Sequence, residues 1–152
     1  GLVRSPGGYL GEDIDVLYDF IHSGKESNRA YNNKMVRDTE MANGMDREHG
    51  DYNDFWAGRD YLNDMQPMKA ALLMSHGFND WNVMPEHSYR IYKKATEMGL
   101  STQIYYHQNG HGGPPPMKMR NRWFTRYLHG VENNVENDAK AWIVREDDAQ
   151  QE

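Results

Sequence analysis

Ala70-Ala-Leu-Leu-Met-Ser-His-Gly-Phe-Asn-Asp80-Trp-Asn-Val-Met-Pro85, answered downstream by Tyr105-Tyr-His-Gln-Asn-Gly-His111-Gly-Gly113, is the stretch whose reading decides the fold. Each half reads as a short apolar strand that runs into a polar residue on a glycine-containing turn, followed by a helix. Strand ends of this kind are where an open α/β sheet presents its chemistry. Met68–Ser75 is an apolar run broken by Lys69, and it reads as a parallel strand buried on both faces. Pro85 stands where a first helical position belongs. Met84, Ser88, Ile91, Ala95 and Met98 then share one helix face, and Gly99 marks the stop. Thr102–His107 is the second strand. Beyond three prolines, Met119, Trp123, Tyr127 and Leu128 form the apolar stripe of a closing helix that ends at Gly130. Strand–helix–strand–helix at these lengths predicts a parallel βαβα unit with a right-handed crossover.

Outward from this unit the character changes. Residues 1–11 read as a Gly- and Pro-rich loop, and residues 12–66 as mostly helical with no strand signal. Ile14, Leu17, Tyr18 and Ile21 recur at helical spacing. Weaker helical stretches follow around Asn28–Ala42 and Asp51–Asp64, the second placing Tyr52, Phe55, Trp56 and Tyr61 largely on one side. Phe55-Trp56 reads as packing within this segment. The tail carries a surface loop at Asn133–Asp138, then Lys140-Ala-Trp-Ile-Val-Arg145, a strand that would begin another domain. The expected organisation is therefore 1–66, loop and helical cap or lid insert; 67–131, the βαβα part; and 132–152, a linker and the start of a following domain.

Bulk properties bound the function. The 152 residues hold one domain's worth of chain, but only 38% are hydrophobic and the mean hydropathy is −0.98. Ten tyrosines and ten methionines carry much of the apolar area, and both types suit half-buried, adaptable surfaces. A net charge of −6 argues against a nucleic-acid binder, which needs clustered Lys and Arg. With no cysteine there is no disulfide frame, no thiolate metal site and no cysteine nucleophile, which fits a cytoplasmic setting. No apolar run approaches the roughly 18 residues of a membrane span, so no membrane partner is expected. The first ten residues do not have the pattern of a signal peptide, and without an initiator Met they read as the start of a piece of a longer protein.

Asp80, just past the first strand, and His111, after the second, are the candidate catalytic residues. Taken singly, Asp80 reads as a turn or N-cap aspartate and His111 as an ordinary loop histidine with small neighbours. As a pair 31 residues apart, acid first and histidine next, they match the tail of the Ser…Asp…His order of α/β-hydrolases. An acid so placed can orient an imidazole and stabilise the imidazolium formed when a hydroxyl is deprotonated. The nucleophile should lie upstream, yet none of Ser5, Ser23, Ser27, Ser75, Ser88 and Ser101 sits in G-x-S-x-G. Asn82 and Val83 are candidate substrate-pocket residues. His76, Asp80, His87, His107 and His111 are a rival set for zinc, but no H-E-x-x-H is present and no metal or other cofactor is expected.

Four stretches carry a resemblance: Gly1-Leu-Val-Arg-Ser-Pro-Gly-Gly-Tyr, Gly50-Asp-Tyr-Asn-Asp-Phe-Trp56, His76-Gly-Phe-Asn-Asp-Trp-Asn-Val83 and His111-Gly-Gly. With them the chain resembles the C-terminal part of the catalytic domain of the X-prolyl dipeptidyl aminopeptidases, cytosolic serine peptidases with an α/β-hydrolase fold. The resemblance implies removal of an N-terminal dipeptide whose second residue is proline. It implies that Asp80 is the triad acid and His111 the general base, with the serine, the oxyanion donors and most of the proline pocket preceding Gly1. It also implies that this chain alone is inactive, and that short proline-containing peptides are the substrate. An acyl esterase or amidase of the same fold, or a non-catalytic interaction module, are the alternatives. Two parallel strands without neighbours would leave backbone groups unpaired, so a homo-oligomer is expected.

Overall fold

Thr102-Gln-Ile-Tyr-Tyr-His107 is rich in β-branched and aromatic residues, and it forms the central strand of the sheet. The computed structural model describes residues 2–4, 8–10 and 26–147. The chain divides into two compact units, Gly1–Tyr61 and Leu62–Glu152, each taken by itself below.

In the second unit three strands lie in the order β3-β4-β5: β3 Leu72–Gly77, β4 Thr102–His107 and β5 Ala141–Ile143. Both pairings are parallel, so the expected α/β character and the parallel strand–helix–strand unit are present. All six residues of β4 are buried, whereas β3 is half-buried except at Gly77. Their places in the sheet explain the contrast, because β4 has a strand on either side and β3 lies at an edge. The strand expected over Met68–Ser75 therefore begins later and runs further. Backbone pairing sets its ends, from Leu72 opposite Thr102 to Gly77 opposite His107. The run Lys140–Arg145 does form a strand, and its core Ala141–Ile143 joins this same sheet. Ile104 N donates to Lys140 O at 2.9 Å and Val144 N to Tyr106 O at 2.9 Å.

Helix α3, Pro85–Glu97, follows β3 as read from the sequence, with Pro85 in its first turn and Ser88 and Ala95 buried. It packs on β3 and β4. Helix α4, Met117–Tyr127, buries Trp123 alone. Leu128, expected on its apolar stripe, lies beyond the helix end and is exposed. The loop after α4 is tied back by charge: Arg122 Nε and Nη2 donate to Asp138 Oδ2 and Oδ1 at 2.8 and 2.9 Å. A paired fork of this kind adds direction as well as strength. It holds a short 3-10 turn, Val135–Asn137, whose Val135 is buried, so the segment expected to be a surface loop contributes to the core.

In the first unit β1 Leu2–Arg4 pairs antiparallel with β2 Gly8–Leu10. This corrects the reading of residues 1–11 as a loop. Leu-Val and Tyr-Leu are good strand formers, and the Gly and Pro residues between them dominated the composition. Helix α1, Glu26–Asn32, continues as a π-helix over Asn33–Met41 and returns to α over Ala42–Gly44. The expected helix around Ile14–Ile21 falls outside the described residues. Of the stretch Asp51–Asp64, only Asp54–Ala57 (α2) and a 3-10 turn at Tyr61–Asp64 are helical. With the helix so short, Tyr52 and Tyr61 are exposed and form no buried aromatic face. Phe55 lies against Gly44, and Trp56 Nε1 donates to Met45 O at 3.0 Å.

Ile104 is 1% exposed and Ile143 61%, which gives a direct test of where the core lies. Ile104→Ala is expected to cost about 2–5 kcal/mol, and Ile143→Ala no more than about 0.5 kcal/mol, measured as shifts in the urea unfolding curve.

Candidate active site

The end of β3 is a close backbone crossing. A Cβ on Gly77 would run into the carbonyl oxygens of Asn109 and Gly110, so only glycine lets the two loops meet here. Phe78 N donates to His107 O at 2.7 Å and Asn79 N to Asn109 O at 3.3 Å. The turn after β3 is thus stitched to the loop after β4. Phe78 also stacks on Tyr106, with ring centroids 4.8 Å apart.

From this crossing Asp80 turns inward. Its backbone N donates to Gly77 O at 3.2 Å, and its side-chain Oδ1 accepts from Asn82 N at 2.9 Å and Val83 N at 3.0 Å. The turn-aspartate reading is therefore correct for Oδ1, although the N-cap of α3 is Met84. The other oxygen serves the pair: His111 Nδ1 lies 3.0 Å from Asp80 Oδ2. The two readings describe two oxygens of one carboxylate. The Val83 N–H is the main cause that holds the Asp80 pKa below the ordinary aspartate value. Burial opposes it, and His111 and the Asn82 N–H reinforce it.

The histidine loop is anchored at both ends. His107, 3% exposed, accepts at Nδ1 from Asn109 N at 3.2 Å. Gly113, at φ +113°, lies on the other side of that ring, where a Cβ would stand 2.8 Å from Nε2. Gly113 O accepts from Ser75 Oγ at 2.8 Å. Between these anchors His111 projects outward: its side chain is 61% exposed, against 4% for Asp80. With Nδ1–H donated to the carboxylate, Nε2 keeps its lone pair and faces solvent. Such a ring can accept a proton at Nε2, and the imidazolium formed is stabilised by the buried carboxylate.

His76 is the residue whose part the sequence reading missed. Weighed there only as a metal ligand, it sits on β3 with its Nε2 2.9 Å from Val83 O and 3.4 Å from Asp80 Oδ2. Its Nδ1 is bonded to Ser88 Oγ. A concavity of about 320 Å³ is lined by Ser75, His76, Asp80, Val83 and His111 among others. Val83 is thus at the site, whereas the exposed Asn82 meets Asp80 through its backbone and is not among the lining residues. A larger apolar hollow of about 550 Å³, lined by Tyr105, Met119 and Trp142 among others, touches neither Asp80 nor His111. Among the described residues no group of three or more His, Asp or Glu is arranged to hold a metal ion.

Residues 1–113 match the model of the family described as X-Pro dipeptidyl-peptidase (S15 family). A Rhodopirellula baltica protein with the provisional name Xaa-Pro dipeptidyl-peptidase is 62% identical over 149 residues, covering 97% of this chain and 24% of that protein. The Xaa-Pro dipeptidyl-peptidase of Ligilactobacillus salivarius is 35% identical over 147 residues, 89% of this chain and 18% of that protein. That of Streptococcus thermophilus is 36% identical over 115 residues, 73% of this chain and 15% of that protein. The chain spans about a quarter or less of the length of these curated relatives.

The lowered pKa of Asp80 sets a pH dependence. Its contribution to stability is fully present above the unfolded-state value, about 3.9, and is lost as the pH falls through the lower folded-state value. Urea unfolding followed downward from about pH 5 is expected to lose stability more steeply in the wild type than in Asp80→Asn. Parallel losses in the two would contradict the assignment.

Proposed function

The chain belongs to the X-Pro dipeptidyl-peptidase (S15) family, and from that premise we propose that it is the acid-and-histidine part of a serine peptidase that removes N-terminal Xaa-Pro dipeptides. The observation that carries the proposal is the 3.0 Å contact between His111 Nδ1 and Asp80 Oδ2. In this reading the parallel sheet is the C-terminal portion of an α/β-hydrolase fold, preceded in the chain by an insert over residues 12–66. A serine elsewhere in the full-length protein attacks the prolyl carbonyl. His111 Nε2 takes the hydroxyl proton and returns it to the departing amine, and a water activated by the same nitrogen then releases the dipeptide. Asp80 holds His111 in the Nδ1–H tautomer and offsets the charge of the imidazolium.

The chain alone is inactive in this reading. Its six serines lie outside G-x-S-x-G, the Ser75 hydroxyl donates to Gly113 O and Ser88 Oγ is bonded to His76. The substrates are short proline-containing peptides, reached through Val83 and, beside it on the same turn, Asn82. Among the described residues no helix is long and apolar enough to cross a membrane. We place the enzyme in the cytoplasm, on the absence of cysteine, and expect the 152-residue chain by itself to self-associate through the edge of β3.

Hydrolysis of a chromogenic Xaa-Pro amide by the full-length protein tests the reading. His111→Ala is expected to lower kcat about 10⁴-fold or more, and Asp80→Asn about 10³- to 10⁴-fold, while the 152-residue chain by itself gives no turnover. A full-length protein that ignores Xaa-Pro amides and cleaves simple acyl esters would remove the proline specificity. Unchanged turnover in His111→Ala would remove the pair from the chemistry.

A further inference from the structure

The Asp80 carboxylate takes three hydrogen bonds, from Asn82 N, Val83 N and His111 Nδ1, and a second imidazole beside it has no place in the serine–histidine–acid scheme. Oδ1 accepts from two backbone N–H groups, and Oδ2 faces two imidazole nitrogens, His111 Nδ1 at 3.0 Å and His76 Nε2 at 3.4 Å. His76 is nearly buried, with its side chain 9% exposed, so its ring nitrogens must find partners within the protein. Their partners fix its tautomer. Val83 O, 2.9 Å from Nε2, can only accept, so Nε2 carries the proton. In the neutral ring Nδ1 is then the acceptor, and the buried Ser88 hydroxyl is its donor.

We propose that His76, set in its Nε2–H tautomer by the Val83 carbonyl, is a positioning residue that braces the acid loop and holds the Asp80 carboxylate in line for His111. Val83 is the residue through which it acts. The Val83 N–H holds Asp80 Oδ1 and its C=O receives His76, so the residue is gripped on both sides. Ser88 belongs to the first turns of α3, and the line Ser88–His76–Val83–Asp80–His111 therefore runs from the helix behind the sheet to the exposed imidazole. Without the brace, the Val83 C=O loses the bond that ties the 80–83 turn to β3. The Asn82 and Val83 N–H groups would then leave the carboxylate more often, and the geometry presented to His111 would spread. Placement within a fraction of an ångström is what reactions of this kind depend on. The catalytic part of the inference rests on the reading of Asp80 and His111 as members of a triad, and the structural part does not.

Two sets of measurements on the full-length protein separate these parts. Histidine ¹⁵N spectra should show His76 as the Nε2–H tautomer alone. Hydrogen exchange at the Asn82 and Val83 amides should rise about tenfold in His76→Leu, the scale of one lost hydrogen bond, and return toward wild type in His76→Gln, whose amide can replace the Nε2 donor. On an Xaa-Pro amide, kcat should fall about tenfold in His76→Leu with KM nearly unchanged, and His76→Gln should recover most of it. A wild-type His76 protonated at Nδ1 overturns the proposal. So does unchanged amide exchange in His76→Leu, or kcat that stays low in a folded His76→Gln. If His76→Leu does not fold, the wild-type tautomer and the His76→Gln values decide. Absence of Xaa-Pro cleavage beside the expected tautomer and exchange would support the brace and overturn only the peptidase reading.

Discussion

The rest of the site depends on the backbone approach at Gly77. There the last residue of β3 lies so close to the carbonyls of Asn109 and Gly110 that a methyl group would not fit. Two parallel strands in register, Gly77 opposite His107, bring their C-terminal ends to one edge of the sheet. Register alone leaves the following loops free to splay. The missing side chain lets the loops touch, and the bonds from Phe78 N and Asn79 N then lock them together. Only after that is Asp80 within reach of a histidine 31 residues further along the chain.

The second constraint is the division of labour within one carboxylate. A buried charge is costly unless it is fully hydrogen-bonded, and Asp80 is 6% exposed. The two N–H groups on Oδ1 stabilise the ionised form and aim the group, while Oδ2 remains directed at the imidazole. The acid is thus buried, whereas the histidine is exposed. His111 itself is held indirectly. Its loop is fastened by Asn109 and Gly113 to the buried His107 ring and to Ser75, so the exposed ring rests on an immobile base.

How much of this was legible depended on whether the signal was local. The strand Thr102–His107 and the helix from Pro85 were readable because apolar patterning and a first-turn proline are written into consecutive residues. The start of β3 was not, because Met68, Ala70 and Ala71 extend the apolar pattern upstream past Lys69 and only pairing with β4 fixes where it begins. Asp80 and His111 stood out through their order and spacing, which the contact between them supports. The demands on Gly77 and Gly113 come from atoms some thirty residues away or from a ring on the neighbouring strand, so the sequence marked them only as turn residues. His76 and Ser88 were hidden for the same reason, one read as a metal candidate and the other as a position on a helix face. The hairpin of β1 and β2 was masked by the Gly and Pro between two short apolar pairs.

The account makes the tautomer of His111 a consequence of the crossing at Gly77. Long-range ¹⁵N spectra of the histidine rings, recorded on the wild-type protein and on Gly77→Ala, test that link without requiring activity or a substrate. The expected result is a neutral His111 protonated at Nδ1 in the wild type, and a mixture of tautomers when the added methyl group forces the two loops apart. A wild-type His111 protonated at Nε2, or an Nδ1–H ring that persists unchanged in Gly77→Ala, would contradict the claim that the backbone crossing holds the acid and the histidine together.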